Sequence, residues 1–262
     1  MSGFFVGGCI SLEYQIFNED CINGMSKLED GSIDAIICDP PYQSTDCDWD
    51  KRLPLEDMWE QFNRVTKHDG AIVLFAQLPF AVDLINANRK MFRYEWIWSK
   101  SKAVGFLNAN KMPLRAHENI LVFYRKLPTY NPQWRSGKAY TRGHEDRQAS
   151  VYRAAKGKIT VNDGAHYYPR DVLEFNSIAG NSKREPRYHP TQKPVALMEF
   201  LIKTYTNKFD TVLDATMGSG STGVACMNTG RRFIGFEMSR EFYETARLRM
   251  DAAIAQRQLE LI

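Results

Sequence analysis

The chain has 262 residues, 34 Lys+Arg against 31 Asp+Glu, 25% charged and 44% apolar residues, which is ordinary globular composition and excludes a disordered, collagenous or fibrous protein. No window approaches the roughly 18 unbroken apolar residues of a membrane span, and the start MSGFFVGGCISLEYQ lacks the basic opening and long apolar run of a secretory signal. Five cysteines with no CxxC pair give neither a disulfide framework nor a metal site, so a soluble, reduced, intracellular protein without metal is expected.

Ile33–Cys38 (IDAIIC) is a short apolar run, the pattern of a strand covered on both faces. From Leu55, apolar residues at Leu55, Met58, Trp59, Phe62 and Val65 predict a helix. Asp69-Gly70 is expected to end it, and Ala71–Leu78 to form the next buried strand. Pro79 opens another helix with Phe80, Leu84 and Ile85 on one face. Tyr94–Trp98 and Ile120–Tyr124 read as two more strands. Pro194 then opens a helix carrying Val195, Met198, Leu201, Ile202 and Tyr205. Thr211–Asp214 is a strand, followed by a glycine-rich turn and a short helix. Arg232–Glu237 is a further strand, and Glu241 to Leu261 a final helix. This alternation implies a largely parallel sheet with helices on both faces.

Charge is unevenly spread. Between Arg125 and Lys193 stand 14 Lys/Arg and 6 Asp/Glu, interleaved with Tyr130, Trp134, Tyr140, Tyr152, Tyr167, Tyr168, Phe175 and Tyr188. Basic residues among aromatics suit a polyanion whose bases can be contacted; a solvated insertion would have the same composition.

Met217-Gly218-Ser219-Gly220-Ser221-Thr222-Gly223 places GxGxxG between a strand and a helix. Gly218 and Gly220 let the backbone turn tightly and approach a ligand closely, and Glu237, ending the next strand, suits ribose hydroxyls. No Lys follows the glycines as a nucleoside-triphosphate loop requires. Only 25 residues follow Glu237, so the rest of the sheet is expected from the N-terminal half, unlike a dinucleotide fold that opens with this motif. Asp214 would repel a pyrophosphate and welcome an amino group. A zwitterionic or cationic nucleoside cofactor such as S-adenosylmethionine fits better.

Asp39-Pro40-Pro41-Tyr42 directly follows the strand Ile33–Cys38, at the strand end where open α/β sheets bind ligands. Two prolines stiffen the backbone and remove two donors. A carboxylate, a rigid carbonyl and a ring can hold a planar base with an exocyclic amine: Asp39 and the Pro40 carbonyl accept its hydrogens, and Tyr42 stacks.

The combination resembles the amino-methylating DNA methyltransferases, specifically their circularly permuted beta group, in which the DPPY half comes first, a target-recognition region next and the glycine loop last. Almost the whole chain matches. Asn18-Glu19-Asp20-Cys21 resembles the motif whose acidic residue approaches the cofactor's adenine. Tyr94–Lys100 and His117-Glu118-Asn119-Ile120 resemble segments lining the target-base pocket. His189-Pro190-Thr191-Gln192-Lys193-Pro194 resembles the segment opening the helix before the cofactor strand. Met217 departs from the family's usual aromatic.

The resemblance implies an S-adenosylmethionine-dependent methyltransferase sheet formed by residues 1–126 and 189–262, with residues 127–188 as the target-recognition insertion. Asp39, Pro40, Pro41 and Tyr42 are the implied catalytic residues. Asp20, Cys21, Asp39, Lys193, Asp214, Thr216, Gly218, Ser219, Gly220, Ser221, Thr222, Glu237 and Met238 are implied to bind the cofactor, and Arg135, Lys138, Arg142 and Arg147 the DNA. The expected reaction is methylation of adenine N6 in double-stranded DNA after base flipping; the family's cytosine enzymes more often carry Ser in place of Asp39. N4-cytosine methylation, methylation of RNA and non-catalytic DNA binding stand as alternatives. A homodimer, a cognate restriction endonuclease and a bacterial cytoplasm, with a chromosomal or phage gene, are inherited expectations.

Several of these residues also have plainer readings. Asp20 could cap the helix after it, His117 is better read as a hydrogen-bonded core histidine than as a catalytic group, Trp96 and Trp98 face one side of a strand and suit a core, Lys193 suits a solvated helix start, and Cys21 a small buried hydrophobe.

Overall fold

The computed structural model describes residues 14–42, 53–142, 160–178 and 185–260. Two compact units divide the chain, one formed by Met1–Asn131 with Asp171–Ile262, the other by Pro132–Arg170.

The first unit opens with β1 (Tyr14–Phe17), a strand not anticipated from its mixed YQIF sequence, and α1 (Cys21–Met25). Then follow β2 (Ile33–Cys38), α2 (Leu55–Val65), β3 (Thr66–Ala76), α3 (Phe80–Ala87), β4 (Phe92–Val104) and β5 (Arg115–Phe123). The second unit holds β6 (Tyr140–Arg142) and β7 (Thr160–Asn162). The first resumes with β8 (Val172–Phe175), α4 (Val195–Tyr205), β9 (Thr211–Asp214), α5 (Ser221–Thr229), β10 (Arg232–Phe236) and α6 (Arg240–Glu260). One eight-stranded sheet runs β1-β10-β9-β2-β3-β5-β4-β8. β5 lies antiparallel to both neighbours, β3 and β4, while every other pairing is parallel.

Consecutive residues of β2 bury on opposite faces. Ile37 packs with α4, α5 and α6 residues such as Leu201, Cys226 and Met250. Ile36 packs with α1 and α2 residues such as Met25, Met58 and Phe62. Each fully buried isoleucine contributes on the order of 1.5–3 kcal/mol, which explains an unbroken apolar run where a one-faced strand would alternate.

Several boundaries differ from the sequence reading, and β4 and β5 run well beyond the Tyr94–Trp98 and Ile120–Tyr124 expected of them. The helix of Leu55 ends at Val65, and Asp69-Gly70 lies inside β3. There the register shifts between Ile33↔Thr66 and Ala35↔Ala71, and a Cβ on Gly70 would stand 2.8 Å from the Asp34 carbonyl oxygen. The glycine thus serves a bulge rather than a helix stop. The strand read to Leu78 stops at Ala76. The segment 127–188 also does not stand apart as a whole: Val172–Phe175 pairs with Ile97–Lys100 of β4 and belongs to the main sheet.

In the second unit, β6 and β7 form an antiparallel pair, and Arg135 and Tyr167 exchange backbone hydrogen bonds of 2.9 and 3.0 Å. Among the described residues no helix is long and apolar enough to cross a membrane.

Candidate active site

The parallel strands β2 and β9 lie side by side, so the chain leaving each one reaches the same edge of the sheet. A cleft of about 1140 Å³ opens there, and both Asp39–Tyr42 and the glycine loop line it. Thr216 joins the two halves by donating from its hydroxyl to the Asp39 carbonyl at 2.9 Å.

The cofactor half is made mostly of backbone. Gly218 and Gly220 take positive φ of 51° and 80°, the left-handed region that favours glycine. A Cβ on Gly220 would also lie 2.8 Å from that of Ala246 in α6. Glu237 Oε2 accepts from the Gly218 amide at 3.0 Å and Oε1 from the Ser239 amide at 2.7 Å. A carboxylate has about four lone-pair sites, so each oxygen keeps one for a further donor. Burial raises the Glu237 carboxyl, while the Ser239 and Gly218 amides oppose that. The half-buried Glu237 and the exposed Met238 both face the cleft, and the Asn18 amide holds their carbonyls at 2.8 and 2.9 Å. The donor set fits an adenosine-containing cofactor.

Asp214 is buried. Its carboxylate accepts from the Thr222 hydroxyl at 2.5 Å and the Thr216 amide at 3.1 Å. Burial pushes the carboxyl up to about 7, with Asp39 adding to the rise against those hydrogen bonds. Asp214 thus ties the loop to the strand, and burial works against the negative charge expected of it. Asp20 caps α1 by accepting from the Asn23 amide at 3.0 Å while lining the cleft. Cys21 beside it is buried, its thiol pushed up to about 12 by burial. Met217 is buried in the core, where Gly235 leaves it room.

Ser219 and Ser221 are held by a residue that no sequence motif marks. Arg249 of α6 donates to the Ser219 carbonyl at 2.6 Å and to the two hydroxyls at 3.2 and 3.5 Å. Its guanidinium also lies over the Tyr188 ring, 4.9 Å from the centroid.

The other half of the cleft is built from charges. Lys193 is 8% exposed, so it is not solvated. Its ammonium donates to Asp39 Oδ2 at 2.5 Å and stands 3.3 Å from Glu118 Oε2. Glu118 is buried in turn and pairs with Lys100. The four groups form one chain, Lys100–Glu118–Lys193–Asp39. Burial would raise Glu118, but Lys193 and Lys100 outweigh it and hold the carboxyl at about 2. Burial would lower Lys193, but Asp39 and Glu118 keep it above the usual lysine value. Burial raises Asp39 above the usual aspartate range, Lys193 opposing and Glu118 reinforcing that shift. Tyr42 donates its hydroxyl to Asp39 Oδ1, and its ring lies 5.3 Å from that of Phe80.

Topology explains why Glu118 arrives here. Because β5 runs antiparallel, Asn119 lies level with the end of β3, where it pairs with Ala76, and Glu118 pairs with Trp98 midway along β4. His117, the next residue outward, is exposed rather than in the core, because the first three residues of β5 lie beyond its buried part. Trp96 and Trp98 are core. A lone acid two residues before the apolar run ILVF was the available sign of Glu118.

Of the expected DNA-binding residues, Arg135 and Lys138 are exposed in the second unit, Arg142 ends β6, and Arg147 lies outside the described residues. In the same unit the exposed Trp134 packs its ring 4.6 Å from that of the exposed Tyr168.

A family model described as N6/N4 DNA methylase matches residues 33–248. The chain belongs to the N6/N4 DNA methylase family. It is 29% identical over 258 residues to the type II methyltransferase M.HpaI of Haemophilus parainfluenzae, covering 92% of this chain and 75% of that one. The fold is similar to that in the crystal structure of the M1.HpyAVI–SAM complex, with a TM-score of 0.63, 24% identity, and coverage of 91% of this chain and 99% of that one. It is also similar to the PvuII DNA methyltransferase, named as cytosine-N4-specific, with a TM-score of 0.64, 18% identity, and coverage of 90% and 86%. The mixed sheet is of the S-adenosylmethionine methyltransferase type, and the chain is a DNA methyltransferase acting on an exocyclic amine.

Proposed function

We propose that this DNA methyltransferase is a circularly permuted, beta-group enzyme that methylates the N6 amine of adenine in double-stranded DNA, at a short specific sequence. The observation that carries the reading is the aspartate-headed tetrapeptide Asp39–Tyr42 lining the same cleft as Glu237 and the glycine loop. S-adenosylmethionine, when bound, supplies an electrophilic methyl group. Glu237 binds its ribose, and the glycine loop admits it closely. The target base must leave the duplex to reach the cleft. Asp39 and the Pro40 carbonyl then accept the two hydrogens of its amine and turn the nitrogen lone pair outward, while the Tyr42 ring stacks on the base. Alignment for in-line displacement supplies several kcal/mol. Each Asp39 oxygen has one partner, Lys193 or Tyr42, which fixes the carboxylate and leaves each oxygen a lone pair for the amine. No strong base is required, because the proton leaves after the nitrogen has become cationic.

The second unit, Pro132–Arg170, is the proposed target-recognition element: Arg135, Lys138, Arg142 and Arg147 hold phosphates, and neighbouring side chains read bases. The type II name of M.HpaI supports a partner endonuclease that cuts the same sequence. Aspartate rather than serine at position 39 supports adenine. Purified protein, S-adenosylmethionine and duplex DNA, followed by digestion to nucleosides and mass spectrometry, test this directly. N6-methyladenine is expected; N4-methylcytosine as the main product overturns the base assignment, and labelled RNA with unmodified DNA overturns the substrate.

A further inference from the structure

The turn between β4 and β5 exposes apolar side chains beside the cleft. Phe106 is 71% exposed, Leu107 101% and Met112 56%. The turn is nevertheless well bonded. Gly105, at φ 98°, starts a 3-10 turn over Phe106–Asn108. The amides of Asn108, Ala109, Lys111 and Met112 donate back at 2.9–3.1 Å. The apolar tip is therefore presented in a set shape, so inserting it elsewhere costs little further ordering.

Charge says what the tip faces. Lys102, Lys111 and Arg115 flank it and are exposed, and no Asp or Glu occurs from Lys100 to Arg115. A second copy of the same turn would bring like charges together, whereas a duplex offers phosphates to the lysines and base steps to the apolar tip. Position says where on the duplex it acts, since Lys102, Ala103 and Val104 line the cleft that holds Asp39.

We propose that Phe106 and Leu107 form a wedge that enters the duplex at the target base and fills the gap left when that base turns into the cleft, with Lys102 and Lys111 on the adjacent phosphates. The inference rests on the reading of this chain as a base-flipping DNA methyltransferase. A wedge differs from an ordinary DNA contact in one respect: it matters only while the target base is paired and stacked, because a mispaired base leaves the helix at lower cost.

The test uses the full chain and a duplex carrying its own recognition site, found by long-read sequencing of DNA from an expressing host. Methyl transfer by Phe106→Ala/Leu107→Ala is measured on the paired duplex and on one whose target base is mispaired. At least about a tenfold loss is expected on the first and recovery to within about twofold of wild type on the second, with unchanged S-adenosylmethionine affinity and melting temperature. Equal loss on both duplexes, no loss on either, lowered cofactor affinity or melting temperature, or a change of oligomeric state on sedimentation each overturns the wedge. A wild-type protein that methylates neither duplex instead overturns the underlying reading.

Discussion

The two halves of the cleft solve the same problem, fixing a carboxylate beside a ligand, by opposite means. Glu237 is held by two backbone amides from residues near it in the fold, Gly218 and Ser239. Asp39 is held by side chains, Tyr42 and Lys193, and Lys193 is itself held through Glu118 of a distant strand. Amides have no rotamers and do not titrate, so the cofactor half comes set by the chain path alone. The target half depends on four charges from separate elements, and a change in one of them reaches the others.

The largest effect should follow from removing the charge on which the target half converges. Asp39→Ala takes away the proposed amine acceptor and leaves Lys193 facing Glu118 alone. The turnover rate should fall by about a thousandfold or more, the scale for lost alignment in a positioned reaction. S-adenosylmethionine affinity by calorimetry should stay within about tenfold of wild type, because Glu237 and the loop are untouched. Near-normal turnover would separate Asp39 from the chemistry and erase the contrast between the halves.

Glu237→Gln probes the other half. The amide side chain keeps the shape and one acceptor but turns the second into a donor. A lost charge-assisted hydrogen bond is worth about 1.5–3 kcal/mol, so the cofactor dissociation constant should rise about ten- to a hundredfold, with DNA affinity unchanged. An unaltered constant would mean that the Glu237 oxygens are fully occupied by Gly218 and Ser239.

The same contrast governs what could be read from the chain. Asp39–Tyr42, Gly218–Gly223 and Glu237 were legible because turns that need glycine or proline write their requirement into a few adjacent letters. The resemblance marked the segments that hold Lys100, Glu118 and Lys193, but not their pairing, because that depends on the direction of β5. Ile120–Tyr124 is apolar whether the strand runs up or down, and only the antiparallel pairing of Asn119 with Ala76 brings Glu118 to the cleft. Direction also misled the reading of His117, which falls beyond the buried part of β5. Arg249 was hidden differently: on a helix rich in Arg and Glu, nothing marks the arginine that reaches the glycine loop. β1 was missed because an edge strand of four residues needs little apolar sequence.

A third measurement reaches the second unit. If Arg135, Lys138 and Arg142 each neutralise a phosphate, log affinity should fall with log salt by about 0.9 per contact. Replacing all three by Gln should flatten that slope by up to about 2.7 and weaken binding about tenfold near physiological salt. A wild-type slope would move the phosphate contacts off this unit and leave the lysines of the β4–β5 turn as the main candidates.

The last effect lies where the two halves meet. Asp214 belongs to the cofactor half by its bonds to Thr222 and Thr216, yet the charge of Asp39 contributes to its rise to about 7. In the unfolded chain its carboxyl returns to the ordinary value of 3.8. Between these values the native state holds a proton that the unfolded state has lost, so stability falls as pH rises through this window and levels off above it. Asp214→Asn removes the titration and keeps an acceptor for the Thr216 amide. The stability of the variant relative to wild type should therefore improve by about 1.4 kcal/mol per pH unit across that window, and the gap should stop widening near pH 7. On a chain of this size that is a few degrees of melting temperature per unit, readable by calorimetry of the cofactor-free protein. A gap that does not change with pH would show that Asp214 stays ionised in the fold. The negative charge expected of it from the sequence, facing a cationic cofactor, would then be present after all.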